Sequence, residues 1–487
     1  MSARSFQFLS RWVAPPALGA ASALGFAPFY LFPLPIVCLT AYFWLVARDD
    51  RHVLARSYLF GLGWFLAGVS WVYISLHDMG QLPAPVAVPA TLGFAALLAV
   101  FPALAVWGAT HLASGERVRW LIVAPIFLAL ADWTRGWLFT GFPWQALGYS
   151  QVPWSPLAGY APILGVYGVS WLAALSAGLL LLRGRLGWLL LTGIWLAGLG
   201  LARVEWTQPS GAPVGVTLVQ GNISQEQKFS PEKLTETLVM YRQFVVDSET
   251  PLVILPETAL PVFIHDLPDW YLKELADPLR ARGADLITGL AEQEGDERYF
   301  NSMVSMGHSP PQRFRKVHLV PFGEFVPFGF RWFVDLMHIP LGDFTRGEPA
   351  QPPMRVAGQR VAVNICYEDV FGEELIHALP AATLMANASN DAWFGDSLAP
   401  WQHLQIGQMR ALETGRVWLR ANNTGITAIV DAKGHVQARL APFTRDVLVG
   451  QAQGRSGLTP FARWGNGAFL ALALAGLIGA FLLARRR

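Results

Sequence analysis

From residue 12 to residue 203 apolar positions run almost without interruption, broken only by short polar or basic turns. Seven stretches approach the roughly 20 residues that a helix needs to cross a hydrocarbon core: 12–28, 30–47, 56–76, 86–110, 119–136, 160–182 and 187–203. An eighth, 466–484, precedes Arg485, Arg486 and Arg487. The first two are short and hold Pro15, Pro16, Pro28, Pro33 and Pro35, so one of them is open to being kinked or re-entrant.

Residues 204–465 have another texture, with short β-rich runs alternating with polar stretches of helical period. Strands are expected at Val214–Val219, Leu252–Leu255, Asp285–Gly289, Phe300–Met306, Val361–Ile365, Thr383–Ala386 and Thr427–Val430. Helices are expected at 231–247, 267–281 and 399–415, the first announced by Ser230 and Pro231 as cap and first-turn residue. The pattern divides the chain into a membrane bundle of about seven helices (1–203), an α/β domain (204–465) and a last transmembrane helix with a basic tail (466–487).

Composition agrees with a membrane protein: 53% of the 487 residues are hydrophobic and only 14% charged. A formal net charge of +2, without basic stretches interleaved with aromatics, excludes a nucleic-acid partner. Two cysteines, Cys38 and Cys366, support neither a disulfide framework nor a thiolate metal site. Arginines give the orientation, because basic short loops stay cytoplasmic. Arg4 and Arg11, then Arg48, Arg51 and Arg56, then Arg117 and Arg119, then Arg183 and Arg185, and the terminal arginines fall on one side if every span crosses. That arrangement puts both termini inside and residues 204–465 outside. Arg135, near the end of the fifth span, is expected to face a polar site or headgroups instead of lipid.

Three segments, LVILPET, FRKVHLVPFGE and VAVNICYED, each place a reactive side chain at the end of an apolar strand, where α/β folds commonly assemble their sites. They deliver Glu257, Lys316 with Glu324, and Cys366 followed by Tyr367 and Glu368. A Cys attacks a carbonyl as its thiolate, which a neighbouring base or cation makes accessible. Glu257 is suited to take the thiol proton, and Lys316 to stabilise thiolate and oxyanion. Taken singly the signals are weak. A Cys closing an apolar strand is most often a small buried hydrophobe, a Glu after Pro a turn residue, and a lone Lys solvated surface.

Together, PET, K-x-H-L-V-P-F-G-E and C-Y-E resemble the carbon-nitrogen hydrolase (nitrilase) superfamily, which implies an αββα sandwich carrying a Glu, Lys and Cys triad. With the flanking helices, the phrases LVQGNI, LPETALP, KVHLVPFGEFVP, ICYEDVFG and NASNDAWFG resemble the apolipoprotein N-acyltransferases of bacterial inner membranes over essentially the whole chain. The resemblance implies Glu257 as general base, Lys316 as electrostatic stabiliser and Cys366 as nucleophile. Glu324 matches an additional essential glutamate, and Tyr367 and Glu368 the residues whose backbone amides form an oxyanion hole. Asn222 and Phe229 in QGNISQEQKF, and Trp393 and Phe394 in NDAWFGD, are implied substrate contacts, although Phe229 stands where family members often carry Trp and the two later aromatics fit simple packing equally well.

The resemblance also implies a phospholipid acyl donor, diacylglyceryl apolipoproteins as acceptors, no metal or cofactor, and a catalytic domain on the periplasmic side of the inner membrane. Two other readings stand beside it: a membrane-anchored amidase acting on small periplasmic amides, and a transporter or sensor with a degenerate outer domain. Eight helices exceed what an anchor needs, and few intramembrane charges are present to form an ion path. His318 is expected to be structural, and Arg410, Glu413 and Arg416, at three-residue steps, to form ion pairs. The aromatic run from Phe322 to Phe344, with Phe325, Phe328, Phe330, Trp332 and Phe333, is expected to be a lid dipping into the interface, against the alternative of a packed loop.

Overall fold

The computed structural model describes residues 7–485 apart from 114, 183, 229, 328, 330 and 332–342. The chain forms two compact units, one of Met1–Trp206, Phe394–Glu413 and Thr459–Arg487, the other of Thr207–Trp393 and Thr414–Leu458.

The first unit is helical, and every apolar stretch of the sequence coincides with helix: Ala14–Ser22, Pro33–Arg48, Val53–Gly68, Ala84–Leu112, Ala124–Arg135, Ala161–Leu182, Arg185–Leu201 and Gly467–Arg485. Length distinguishes among them. Among the described residues three are long and apolar enough to cross a membrane alone: Ala84–Leu112, Pro156–Leu182 and Gly467–Arg485. Val53–Gly68 and Val72–Met79, bent by 60°, make a fourth if taken as one broken span. Three or four crossings, not eight, therefore meet the length requirement. Pro33–Arg48 has 16 residues, which at about 1.5 Å per residue falls short of a roughly 30 Å core.

Small residues let these helices touch backbone to backbone. A methyl on Gly19 would lie 1.9 Å from the Phe60 carbonyl oxygen, and one on Gly63 2.1 Å from that of Pro16. Arg135 is buried and closed off by protein: it pairs with Asp132 at 3.0 Å and donates to the carbonyls of Phe142 and Trp144, both at 2.5 Å. The helix Ala399–Thr414, which the pattern assigns to the α/β domain, packs within this unit up to Glu413. Gln402 accepts from the indole of Trp144 at 2.6 Å and donates to the carbonyl of Gly68 at 3.1 Å. Gln405 accepts from the amide of Ala27 at 2.9 Å and donates to the carbonyl of Val152 at 2.8 Å.

The second unit holds two large sheets, besides a two-stranded pairing of Gln208–Pro209 with Arg455–Ser456. The strands of the large sheets are β1 (Val214–Gln220), β2 (Leu252–Ile254), β3 (Leu260–Phe263), β4 (Asp285–Glu294), β5 (Arg298–Gly307), β6 (Arg313–Arg315), β7 (Met354–Val356), β8 (Gln359–Ile365), β9 (Leu384–Ser389), β10 (Trp418–Asn422), β11 (Ala428–Val430), β12 (Val436–Arg439) and β13 (Asp446–Ala452). One sheet has the order β13-β1-β2-β4-β5-β6, with β3 also on β4; the other runs β12-β11-β10-β9-β8-β7. At the centre of each, neighbours are parallel: β1, β2 and β4 in the first, β8, β9 and β10 in the second. Central parallel strands are buried on both faces and read as continuous apolar runs.

Helices Pro231–Asp247 and Asp269–Ala281 cover the outer face of the first sheet. Tyr241, Val245, Tyr271, Leu275 and Leu279 meet Val219, Val253, Leu286 and Val304 in one apolar core. The inner face meets the second sheet, where a methyl on Gly450 of β13 would lie 2.5 Å from the Ile429 side chain of β11. This is the sandwich core expected of a nitrilase-like fold.

Candidate active site

Three chain segments leave these sheets at the same end. Glu257 follows β2 after Leu255, whose amide donates to the Ile287 carbonyl at 2.9 Å and extends the pairing with β4. Gly289 permits the turn there, since a methyl on it would lie 2.4 Å from the Thr258 nitrogen. Lys316 follows β6 and is held by its amide, which donates to the Asn301 carbonyl at 2.8 Å. Cys366 directly follows β8 at φ +51°, left-handed backbone that a non-glycine residue adopts only where its surroundings impose it, and begins the tight turn Cys366–Val370.

Side chains converge in this buried space. Lys316 Nζ lies 3.4 Å from Glu257 Oε1 and 2.9 Å from Glu324 Oε2. Asn301 Nδ2 donates to both carboxylates, Glu257 and Glu324, at 2.8 Å each. The second oxygen of Glu257 accepts from the Asn390 amide at 3.0 Å, and that of Glu324 from the Val320 amide at 2.9 Å. Burial works against the Lys316 ammonium, but Glu324 and then Glu257 outweigh it and hold its pKa above the ordinary lysine value, so the charge is fixed.

Cys366 shares the electrostatic field of this cluster. Burial, then the charge of Glu257, push its thiol well above the ordinary cysteine range; Lys316 opposes them, Asp391 adds to them, and a hydrogen bond with the Ser389 side chain lowers it. The resting sulfur is therefore a thiol, and ionisation needs an acceptor for its proton. Glu257 is the carboxylate in that field whose partners are a lysine and two amides. Such an arrangement suits addition of sulfur to a carbonyl, with the Lys316 charge in place before negative charge develops.

The other expected residues divide. Glu368 is buried and spends its carboxylate on main-chain amides: Val317 at 2.6 Å, His318 at 3.1 Å and Ile365 at 2.7 Å. It thus ties the lysine segment to the strand that ends at Cys366, while burial raises its pKa to about 7. Tyr367 packs edge-on against Phe371, with ring centroids 5.2 Å apart. Asn222 commits its side-chain amide to the Phe443 carbonyl at 2.9 Å. Phe394 lies in the helical unit, 4.8 Å from the Trp71 ring, and Trp393 is 40% exposed. Phe229 lies outside the described residues, as does most of the run expected to form a lid.

His318, expected to be structural, is bonded to Glu374 at 2.9 Å and stacked on Phe371. Arg410 and Glu413 pair at 3.0 Å. Arg416 does not join them; it donates to the carbonyls of Ala382 and Gly457, each at 2.8 Å, because those groups lie closer than any carboxylate described. Sequence reasoning passed over Asn301, Asn390, Ser389 and Lys228. Asn301 and Ser389 sit on strands, and short polar residues inside a strand give no signal of which neighbour they serve. Lys228, beside Phe229 in QGNISQEQKF, had the better cue.

Residues 215–460 match the family model of the carbon-nitrogen hydrolases. Fold and match together define a nitrilase-like member of that superfamily. Residues 18–179 match the model of the apolipoprotein N-acyltransferase N-terminal domain. A protein named apolipoprotein N-acyltransferase from Nitrosomonas europaea is 50% identical over 97% of this chain and 98% of its own, and one so named from Chromobacterium violaceum is 46% identical over 94% and 92%. The chain belongs to the apolipoprotein N-acyltransferase family. Among solved structures, an amidase of the nitrilase superfamily from Nesterenkonia aligns with 50% of this chain and 92% of its own at 18% identity and a TM-score of 0.37, too distant to carry further inference.

Proposed function

We propose that this chain moves an acyl group from a membrane phospholipid to the α-amino group of the N-terminal S-diacylglyceryl cysteine of apolipoproteins, through a thioester on Cys366. The observation that carries this reading is the buried cluster in which Lys316 pairs with Glu257 and Glu324, with the charges of Glu257 and Lys316 both acting on Cys366. In the first half-reaction Glu257 takes the thiol proton as sulfur attacks the ester carbonyl. Lys316, with backbone amides at Tyr367 and Glu368, stabilises the oxyanion. Collapse releases the lysophospholipid alkoxide, which takes the proton back from Glu257. In the second half-reaction the acceptor amine attacks the thioester, Glu257 removes a proton from the attacking nitrogen and returns it to the departing sulfur, and an amide is left on the lipoprotein.

Membrane placement is part of the same reading. Residues 1–203 and 466–487 hold the chain in the inner membrane by eight passes, the short helices among them completed by their flanking turns, with both termini cytoplasmic. Residues 204–465 then work at the periplasmic surface, where both lipid substrates arrive laterally. The apolar helices and the one-sided arginines support this.

The test is mass spectrometry of the purified full chain after incubation with phospholipid vesicles. An acyl mass on Cys366, absent from Cys366→Ala, is the expected result; no acyl mass, or equal labelling of the variant, defeats the proposal. Release of ammonia from small amides without lipid would instead favour an amidase.

A further inference from the structure

A second buried lysine stands beside the cluster. Lys228 ends the short helix Gln225–Lys228 and is 5% exposed. Its Nζ donates to the main-chain carbonyl of Glu257 at 3.0 Å. Where Lys316 has two carboxylates, Lys228 has a carbonyl oxygen. We propose that Lys228 is a positioning residue of the acyl-transfer site, an ammonium that anchors the Glu257 main chain and lends positive charge to the Cys366 thiolate.

This rests on the acyl-transfer reading above. The bond to the Glu257 carbonyl fixes the turn that aims the Glu257 side chain, so the general base is held at its main chain by one lysine and at its carboxylate by the other. The groups whose charge reaches Lys228 are Glu257, after β2, and Cys366, after β8. Lys316 meets the Glu257 carboxylate instead of its main chain, Glu324 pairs with Lys316, Asp391 acts on Cys366, and Glu226 on the same short helix is exposed.

The two lysines are tuned in opposite directions. Burial pushes the Lys228 ammonium down to about 8, with Glu257 and then Cys366 resisting, whereas the paired carboxylates keep Lys316 charged. One cation of the site is permanent and the other is lost just above neutral pH. While Lys228 is charged the thiolate is easier to form; as it deprotonates, that help disappears.

The experiment reads alkylation of Cys366 by iodoacetamide in the detergent-solubilised full chain, followed by peptide mass between pH 6 and 10, for wild type, Lys228→Met and Lys228→Arg. Thiolate displaces iodide, so the rate follows the thiolate population. Lys228→Met is expected to react about tenfold more slowly than wild type at pH 7, the size of effect one nearby opposite charge exerts, and to converge with it above pH 9. Lys228→Arg is expected to match wild type at pH 7 and exceed it above pH 9, since guanidinium keeps its charge. No difference between Lys228→Met and wild type, or a deficit constant at every pH, overturns the proposal. Should Lys228→Met fail to fold, wild type against Lys228→Arg decides: a levelling near pH 8 that arginine removes supports it, and identical profiles overturn it. Wild-type chain incubated in parallel with phospholipid separates the two readings, because absence of an acyl mass on Cys366 defeats the donor assignment whatever the alkylation profile shows.

Discussion

Both units bury charge, but they close it in different ways. At two bends of the helical unit a buried ion pair also bonds main-chain groups. Gly165, at φ +66°, interrupts the helix Ala161–Leu182, and the next amide, that of Val166, donates to Glu413 at 2.7 Å while Arg410 neutralises the carboxylate. Arg135 likewise repairs the turn after its own helix through the carbonyls of Phe142 and Trp144. At the Cys366 cluster of the second unit charges meet other charges: Lys316 pairs with two carboxylates, and Lys316 and Glu257 both act on the thiol. The first arrangement holds a backbone in shape, whereas the second stores an electrostatic field for a proton and a sulfur. Loss of a charge should therefore register as stability in one unit and as rate in the other.

The most damaging change on this view is Glu257→Gln, which keeps shape and most hydrogen bonds but removes the base. Acylation of Cys366 should fall by about a thousandfold, in the middle of the range for general acid–base groups, with the thermal midpoint shifted by no more than a few degrees. Retention of a tenth of the wild-type rate would break the distinction. Next is Arg410→Met, which leaves Glu413 buried without its counter-ion; such a loss costs about 3 kcal/mol or more. Denaturant unfolding in detergent should show it, while the acylation rate per folded molecule stays within about threefold of wild type. A collapse of that rate in well-folded protein would mean that the helical unit's charges also serve the chemistry.

The sequence made the two textures legible because each rests on a period that hydrophobic residues must follow. Apolar runs located all eight helical stretches, and the central parallel strands β1, β2, β4, β8 and β9 stood out because burial on both faces leaves no polar alternation. Strands that went unread are the ones that break those rules. β10 carries Arg420, buried and paired with Asp369 at 2.5 Å, so a charged residue occupies a core position. β12 and β13 alternate exposure at the sheet edges. The helix Ala399–Thr414 was legible as a helix, but its neighbours were not, since glutamines that cap distant indoles and carbonyls look the same as glutamines facing water. For the candidate site, three strand ends singled out Glu257, Lys316 and Cys366, while Asn301 and Lys228 stayed hidden because their meaning lies in partners far along the chain.

Glu368 sharpens the comparison because it belongs to the catalytic unit yet behaves like the charges of the helical one, ending on three main-chain amides. Burial raises its pKa from the ordinary 4.5 to about 7. The folded chain thus holds this proton more tightly than the unfolded chain does, so the associated stability is fully present below about pH 4.5 and is lost as pH rises through 7. Glu368→Gln, which cannot titrate, removes that dependence. Between pH 4.5 and 7.5 the stability of wild type relative to the variant should decline by about 3 kcal/mol, measured by unfolding at the two pH values. An unchanged difference would mean that the amides hold Glu368 as a carboxylate throughout, and that its place between the Lys316 segment and Cys366 is electrostatic as well as mechanical.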